Sequence, residues 1–142
     1  MNVKEKLGSN GLSRNISMVT ALLSLVTLIV YIIYGVTFNY FDTVVCVFLA
    51  AAFALSAINF LIDGKGVRSC NLLAVMCLSG DIALFGMNSY PVWADELNGI
   101  TMYGSRGGLV PVVALLVLLL AAAVAEIISC FIPEREKEVE AA

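Results

Sequence analysis

Two carboxylates lie within stretches of the chain that are otherwise almost entirely apolar. Asp81 stands in LLAVMCLSGDIALFGM, and Glu126 stands in VVALLVLLLAAAVAEIISCF. No lysine or arginine shares these stretches, and the whole chain has no histidine. Because an ionisable side chain is costly at membrane depth, each of the two is by default a candidate functional residue.

A carboxylate without a neighbouring cation has three alternatives in such a segment. It can hold a proton and tether helices as a neutral hydrogen-bonding group. It can stay ionised and accept hydrogen bonds from Ser, Thr, Tyr or Asn side chains. It can also bind a transported cation or a basic group of a partner subunit. The residues alone leave these alternatives open.

Counting along the helical rise gives each carboxylate a depth. Asp81 lies about 16 Å and Glu126 about 9 Å from the inner end of its segment. Thr27 shares the level of Asp81, Ser56 shares that of Glu126, and Ser24 lies slightly deeper than Ser56. These five residues form the candidate proton or cation site. Glu126 is its weaker member, because a long side chain near the membrane surface can extend toward water.

The apolar residues fall in four blocks. Of the 142 residues, 61% are hydrophobic and 13% are charged. The blocks cover residues 16–36, 44–62, 70–87 and 109–132, and each is long enough for a helix to cross about 30 Å of hydrocarbon. The first block is too long for the core of a signal peptide, and no small-x-small cleavage site follows it. The sequence therefore predicts an all-α, single-domain bundle of four transmembrane helices over residues 1–142.

The basic residues indicate an orientation. All but Arg106 fall before the first block, between the second and third, or after the fourth: Lys4, Lys6, Arg14, Lys65, Arg68, Arg135 and Lys137. Because positive charge accumulates on the cytoplasmic side, both termini are predicted to be cytoplasmic, in a protein of the plasma membrane. Residues 133–142 would then form a solvated cytoplasmic tail.

Small and polar side chains recur along one face of each block with a helical period. The regular stripe of the first block comprises Ser17, Thr20, Ser24, Thr27, Tyr31 and Tyr34. In the fourth block Ala121, Ala125 and Ser129 form a small-residue ridge, which predicts helix packing. The outer half of that block, Val110 to Leu120, is almost purely aliphatic and is expected to face lipid.

The sizeable loop is the outer one, residues 88–108. Pro91 predicts a short interfacial helix with Trp93 and Leu97 on one face, ending at Asn98 and Gly99. Four residues of this loop form a candidate binding surface: Trp93, Asp95, Glu96 and Arg106.

Common catalytic patterns are missing. The chain has neither a phosphate-binding glycine loop nor a G-x-S-x-G or H-E-x-x-H motif, and without histidine it lacks the commonest general base. We therefore expect no enzyme activity, no cofactor, no bound metal and no nucleic-acid partner.

Two classes of function remain. The first is a non-catalytic assembly or accessory component of a membrane complex or homo-oligomer, which the small size and the small-residue ridges support. The second is a small proton- or cation-coupled carrier or channel that uses Asp81 and Glu126. The sequence favours the first class narrowly and does not identify a ligand.

Overall fold

The computed structural model describes residues 11–62, 67–100 and 108–131, and all of the regular structure in these ranges is helical. The helices are α1 (Gly11–Thr37), α2 (Thr43–Leu61), α3 (Val67–Asn88), α4 (Tyr90–Asn98) and α5 (Leu109–Phe131). The four longer helices have the length and apolar composition needed to cross a membrane. The predicted all-α architecture with four candidate spans is confirmed at this level.

The four long helices pack as a closed ring. α2 packs against α1 and α3, and α5 closes the ring by packing against α3 and α1. Asn59 contacts Asn71 at one end of α2, while Asp42 contacts Asn88 at the other, so α2 and α3 are antiparallel. The arrangement is therefore an up-down bundle in which neighbours in the ring run in opposite directions.

The interior of the bundle is built of six layers: five have one residue from every long helix, and in the sixth Asp42, the N-cap of α2, takes the place of an α2 residue. Along all four helices the interior positions are separated by alternating steps of three and four residues, the heptad spacing of helices that pack side by side. From the end where α1 begins, the first three layers are Ser17, Asn59, Asn71 and Ser129; then Thr20, Ser56, Ala74 and Glu126; then Ser24, Ala52, Leu78 and Ala122. The fourth to sixth layers are Thr27, Leu49, Asp81 and Leu119; then Tyr31, Val45, Phe85 and Leu115; then Tyr34, Asp42, Asn88 and Val112.

The layers correct one expectation about the fourth block. Val112, Leu115 and Leu119 are buried in the interior, although the whole outer half of the fourth block was expected to face lipid. Only the intervening residues, such as Val113 and Val117, point outward. Interior and lipid-facing positions are equally apolar here, so composition could not separate them.

The outward faces of the long helices carry large apolar side chains. Ile33 on α1, Val47 on α2, Leu72 on α3 and Val117 on α5 are each about 60% exposed. A continuous apolar exterior of this kind matches a lipid surface, and it is compatible with a membrane-embedded protein.

A tight turn joins α1 to α2. Asn39 adopts a left-handed backbone conformation with φ 53°, and the Tyr40 amide donates to the Gly35 carbonyl at 2.9 Å. The Phe41 ring lies directly over Gly35. Asp42 then caps α2 by accepting a hydrogen bond from the Val44 amide.

A polar clamp holds this turn against the end of α3. Asn88 donates its side-chain amide to Asp42, and the Tyr40 hydroxyl donates to the Asn88 carbonyl at 2.7 Å. The Tyr31 hydroxyl accepts a hydrogen bond from the Asp42 amide at 3.0 Å. The polar atoms at this end of the bundle thus bond to one another.

The short helix α4 follows α3 directly. Pro91 lies in its first turn, and Gly99 ends it in a left-handed conformation with φ 63°, as the Asn98–Gly99 stop predicts. Val92 is buried and Trp93 is half-buried against the core, whereas Leu97 is 84% exposed. That α4 lies on the outer membrane surface stays a prediction.

Gly35 offers a test of the packing at the α1–α2 turn. A Cβ at this position would lie 2.9 Å from Phe41 Cδ2 and 3.3 Å from Phe41 Cα, so Gly35→Ala is expected to lower the unfolding free energy by about 1–3 kcal/mol. Thermal unfolding in detergent, followed by circular dichroism, measures the change.

Gly80→Ala is the matched control, because nothing lies within 4 Å of a Cβ added there. Alanine also favours helix over glycine, so this variant should unfold at the same or a higher temperature. Equal unfolding temperatures for wild type and Gly35→Ala would contradict the close contact with Phe41.

Candidate functional site

Glu126 reaches across the bundle. It lies on α5 and is fully buried, and its Oε2 atom accepts a hydrogen bond from the Ser56 hydroxyl at 3.2 Å. Ser56 is on α2, which is not a neighbour of α5 in the ring but stands diagonally opposite. The side chain turns inward to a polar partner and does not extend toward the membrane surface, an alternative that the sequence had left open.

Thr20 on α1 completes the surroundings of the Glu126 carboxyl. Its hydroxyl donates its proton to the Ser17 carbonyl at 2.9 Å, and Glu126 Oε1 has no hydrogen-bond partner among the described residues. A hydroxyl has one proton and two lone pairs, so Thr20 can still accept. Ser56 therefore supports the ionised carboxyl, while a lone pair of Thr20 is available in the same layer to a protonated one.

A ring of amide and hydroxyl side chains lies in the adjacent layer, at the end of the bundle where α1 and α3 begin. The Asn59 side-chain amide donates to Asn71 Oδ1 and to Ser17 Oγ, the latter at 2.8 Å. Asn71 in turn donates to Ser129 Oγ at 3.2 Å. This asparagine–serine ring (Ser17, Asn59, Asn71 and Ser129) connects all four long helices.

Asp81 has a different environment. It is fully buried, and neither carboxylate oxygen has a hydrogen-bond partner among the described residues. Thr27 lies in the same layer, but its hydroxyl donates to the Leu23 carbonyl of its own helix at 2.7 Å. Leu49 and Leu119 provide the other two side chains of the layer. Thr27 thus lies at the level of Asp81 along the bundle, but its hydroxyl does not donate to the Asp81 carboxylate.

Ser24 lies in the layer between the two carboxylates. Its hydroxyl is buried and has no hydrogen-bond partner in the part of the chain that the structure describes. Within that part, the buried side-chain atoms without a partner are Ser24 Oγ, both oxygens of Asp81 and Glu126 Oε1. All of them belong to three consecutive layers, so the unsatisfied polarity is concentrated in one section of the interior.

Aromatic side chains close the interior beyond Asp81. Phe85 packs edge-on against Tyr31, with ring centroids 6.0 Å apart, and against Tyr34 at 6.1 Å. Phe41 covers Tyr31 from the turn side. This aromatic plug (Tyr31, Tyr34, Phe41 and Phe85) separates the carboxylates from the clamp at the far end.

The remaining predicted residues are not brought into this site. Ala121 faces outward, Ala125 is half-buried, and only Ser129 enters the interior, so the predicted ridge does not form one packed surface within the bundle. Trp93, Asp95 and Glu96 lie on α4, where Glu96 is exposed. Arg106 and residues 133–142 lie outside the described residues.

Asn59, Asn71, Ser17 and Thr20 belong to the site environment but were not predicted as site residues. They belong to the polar faces of their blocks, yet a polar face is also the pattern of ordinary helix packing. The signal that distinguishes them is the heptad register, which places one amide or hydroxyl from each long helix at the same level.

Comparisons with protein-family models, curated proteins and solved structures find no match to this chain. The candidate site is therefore defined by the chain's own residues: a buried glutamate bonded to Ser56, a buried aspartate without a hydrogen-bond partner in the described part of the chain, and a serine between them.

Asn71 is the residue on which the asparagine–serine ring depends, since it both accepts from Asn59 and donates to Ser129. Asn71→Ala removes both bonds and should lower the unfolding free energy by about 1–3 kcal/mol. Thermal unfolding in detergent measures the loss.

Asn98→Ala serves as the control, because Asn98 is exposed and, among the described residues, its side chain bonds to the Ala94 carbonyl of its own short helix. This variant should unfold close to the wild-type temperature. If Asn71→Ala were no less stable than Asn98→Ala, the ring would not tie the helices together.

Proposed function

We propose that this chain is a small proton-coupled membrane carrier or channel, in which Glu126 and Asp81 take up and release the proton. The observation that supports this most is the surroundings of the buried Glu126 carboxyl: Ser56 donates a hydrogen bond to its Oε2 atom, and its Oε1 atom has no partner among the described residues. A permanently protonated tether needs only an acceptor, and a permanently ionised carboxylate needs only donors. A buried carboxyl with a donor on one oxygen and no partner on the other satisfies neither case in full, and it is suited to exchanging its proton without rearrangement of the helices.

The composition of the layers favours a proton over a metal cation. Ca²⁺ and Mg²⁺ take roughly six or more oxygen ligands. The layer of Asp81 instead contains Leu49 and Leu119, and the Thr27 hydroxyl is bonded to its own helix. A proton needs one carboxyl oxygen and no coordination shell.

The lack of basic side chains in the interior layers also supports a proton that binds and leaves. The interior layers hold no basic side chain, so an ionised carboxylate there has no counter-charge among the described residues. An isolated charge in a low-dielectric interior is expensive, and it is relieved when a proton binds. Each carboxyl is thus a group for which protonation changes the energy of the bundle.

The proposed orientation places the asparagine–serine ring toward the cytoplasm. This follows from the basic residues of the sequence, seven of which fall at the chain ends and in the segment that adjoins this end of the bundle. Cytoplasmic termini, a plasma-membrane location and assembly of several copies around a pathway are parts of the same proposal.

Proton flux into liposomes tests the proposal. The purified protein is reconstituted with a trapped pH-sensitive dye, and a potassium diffusion potential drives proton entry. Wild type should carry protons, and Glu126→Gln and Asp81→Asn should each reduce the flux to that of protein-free liposomes, because the amide cannot exchange a proton.

Glu96→Gln is the matched control, since Glu96 is exposed on α4. It should retain the wild-type flux. All variants must show the wild-type unfolding temperature and elution volume in detergent. Folded Glu126→Gln and Asp81→Asn proteins with undiminished flux would overturn the proposal.

A second candidate function is that of an assembly component, and the outer face of α3 favours it. Ser79 and Ala83 are exposed on this face, and a Cβ added at Gly86 would meet nothing within 4 Å. A shallow groove runs over the same face, lined by Ile82, Ala83, Gly86, Met87 and Tyr90. Small residues at helical spacing allow another helix to approach closely.

Ala83→Leu tests this candidate by filling the groove. It should shift the protein from oligomer to monomer in mild detergent, as measured by light scattering coupled to size exclusion. Val117→Leu, on the exposed aliphatic face of α5, should leave the oligomer intact. A monomeric wild-type protein that co-purifies with no other chain would contradict the assembly role.

A further inference from the structure

We infer that Ser24 holds a water molecule that joins Glu126 and Asp81 into one proton path, reached from the asparagine–serine ring. This inference rests on the proposed proton exchange and adds the route by which the deeper carboxyl is reached.

The order of the three groups along the bundle is the first step. Measured by the helical rise from the asparagine–serine ring, Glu126 lies about 5 Å, Ser24 about 10 Å and Asp81 about 15 Å into the interior. The hydrogen bond from Ser56 to Glu126 and the contact of Tyr31 with Phe85 join residues of the same layer, which supports these levels. Ser24 therefore stands midway between the carboxylates.

The hydroxyl of Ser24 is available, unlike those of its neighbours. Within α1, Thr20 donates to the Ser17 carbonyl and Thr27 donates to the Leu23 carbonyl. Helical serine and threonine often satisfy themselves in this way. Ser24, fully buried on the same face, makes no such bond to a described residue. A buried polar group of this kind is commonly satisfied by an internal water.

The partners that such a water requires are present. An internal water makes about two to four hydrogen bonds to polar groups. The unpartnered atoms on either side of Ser24 are Glu126 Oε1 and the two oxygens of Asp81. At the level of Ser24, α2 and α5 contribute only Ala52 and Ala122, both fully buried. The remaining side chain of the layer is Leu78 on α3, so alanines face Ser24 from two of the three other long helices.

In this conformation the proposed proton path is closed beyond Asp81 and open on the side of Glu126. Beyond Asp81 the next layer consists of Tyr31, Val45, Phe85 and Leu115, and the Tyr31 hydroxyl is turned to the Asp42 backbone. The other titratable side chain next to Asp81 is Cys77, one turn earlier on α3. A proton therefore reaches Asp81 from the side of Glu126.

Hydrogen–deuterium exchange of the carboxyl groups, followed by infrared spectroscopy, tests this route. The reconstituted protein is kept in a buffer acidic enough for protonated carboxyl bands to be present, and Glu126→Gln and Asp81→Asn assign the two bands. After transfer to D₂O, Ser24→Ala should slow the shift of the Asp81 band and leave the Glu126 band at its wild-type rate.

Ala52→Val is a second variant that removes the room for water without touching the hydroxyl. It should also slow Asp81 selectively. The matched controls are Thr37→Ala, which removes an exposed hydroxyl at the end of α1, and Ala54→Val, which is exposed on α2. Both should exchange as the wild type does.

The outcomes separate the two proposals. Wild-type carboxyls that never exchange, together with no proton flux, would overturn the proposed function. Wild-type exchange at both carboxyls with an unchanged Asp81 rate in folded Ser24→Ala and Ala52→Val proteins would overturn only the route through Ser24. An Asp81 rate lowered in both variants, with the controls unaffected, supports it.

Discussion

The hydrogen bonds among Ser17, Asn59, Asn71 and Ser129 set the register on which the rest of the bundle depends. In a lipid environment apolar side chains gain little by turning inward, so packing and interhelical polar contacts decide how helices align. The ring joins α1, α2, α3 and α5 at one level. A heptad step then brings every later interior position of the four helices to a shared level. Glu126 meets Ser56, and Tyr31 meets Phe85, because this register is fixed.

The register produces an interior that changes character along its length. Amides and hydroxyls fill the first layer, and hydroxyl, carboxylate, alanine and leucine side chains form the next three. Aromatic and aliphatic side chains form the layer after Asp81, and the last layer adds the polar Asp42 and Asn88. A core built only for stability would place its polar groups where every one of them is bonded, as the clamp of Asp42 and Asn88 does. The section from Glu126 to Asp81 instead contains buried polar atoms without hydrogen-bond partners, and among the described residues all such side-chain atoms lie in this section. Unsatisfied buried groups that are concentrated in this way indicate a site.

The sequence predicts some of this arrangement and misses the rest for physical reasons. The stripe of α1 is recognisable because polar residues and tyrosines alternate with purely aliphatic ones, and all six of its members are buried. In α3 the interior continues through Leu78 and Phe85, which nothing distinguishes from lipid-facing residues. The neighbouring Cys77 is only partly buried, whereas Leu78 is fully buried. The level shared by Ser56 and Glu126 follows from the helical rise, but their contact across the diagonal depends on which helices stand opposite, and no local pattern contains that information.

The roles of the two carboxylates follow from their surroundings more than from their depth. Depth alone ranks Asp81 first, because it is farther from water and the cost of a charge there is greater. The structure gives Glu126 a donor, Ser56, whereas Asp81 has no hydrogen-bond partner among the described residues. An ionised Glu126 is therefore supported by a hydrogen bond where an ionised Asp81 is not. The proposed path accordingly uses the pair unequally, with Glu126 as the exchange group nearer the ring and Asp81 as the terminal group that is reached through it.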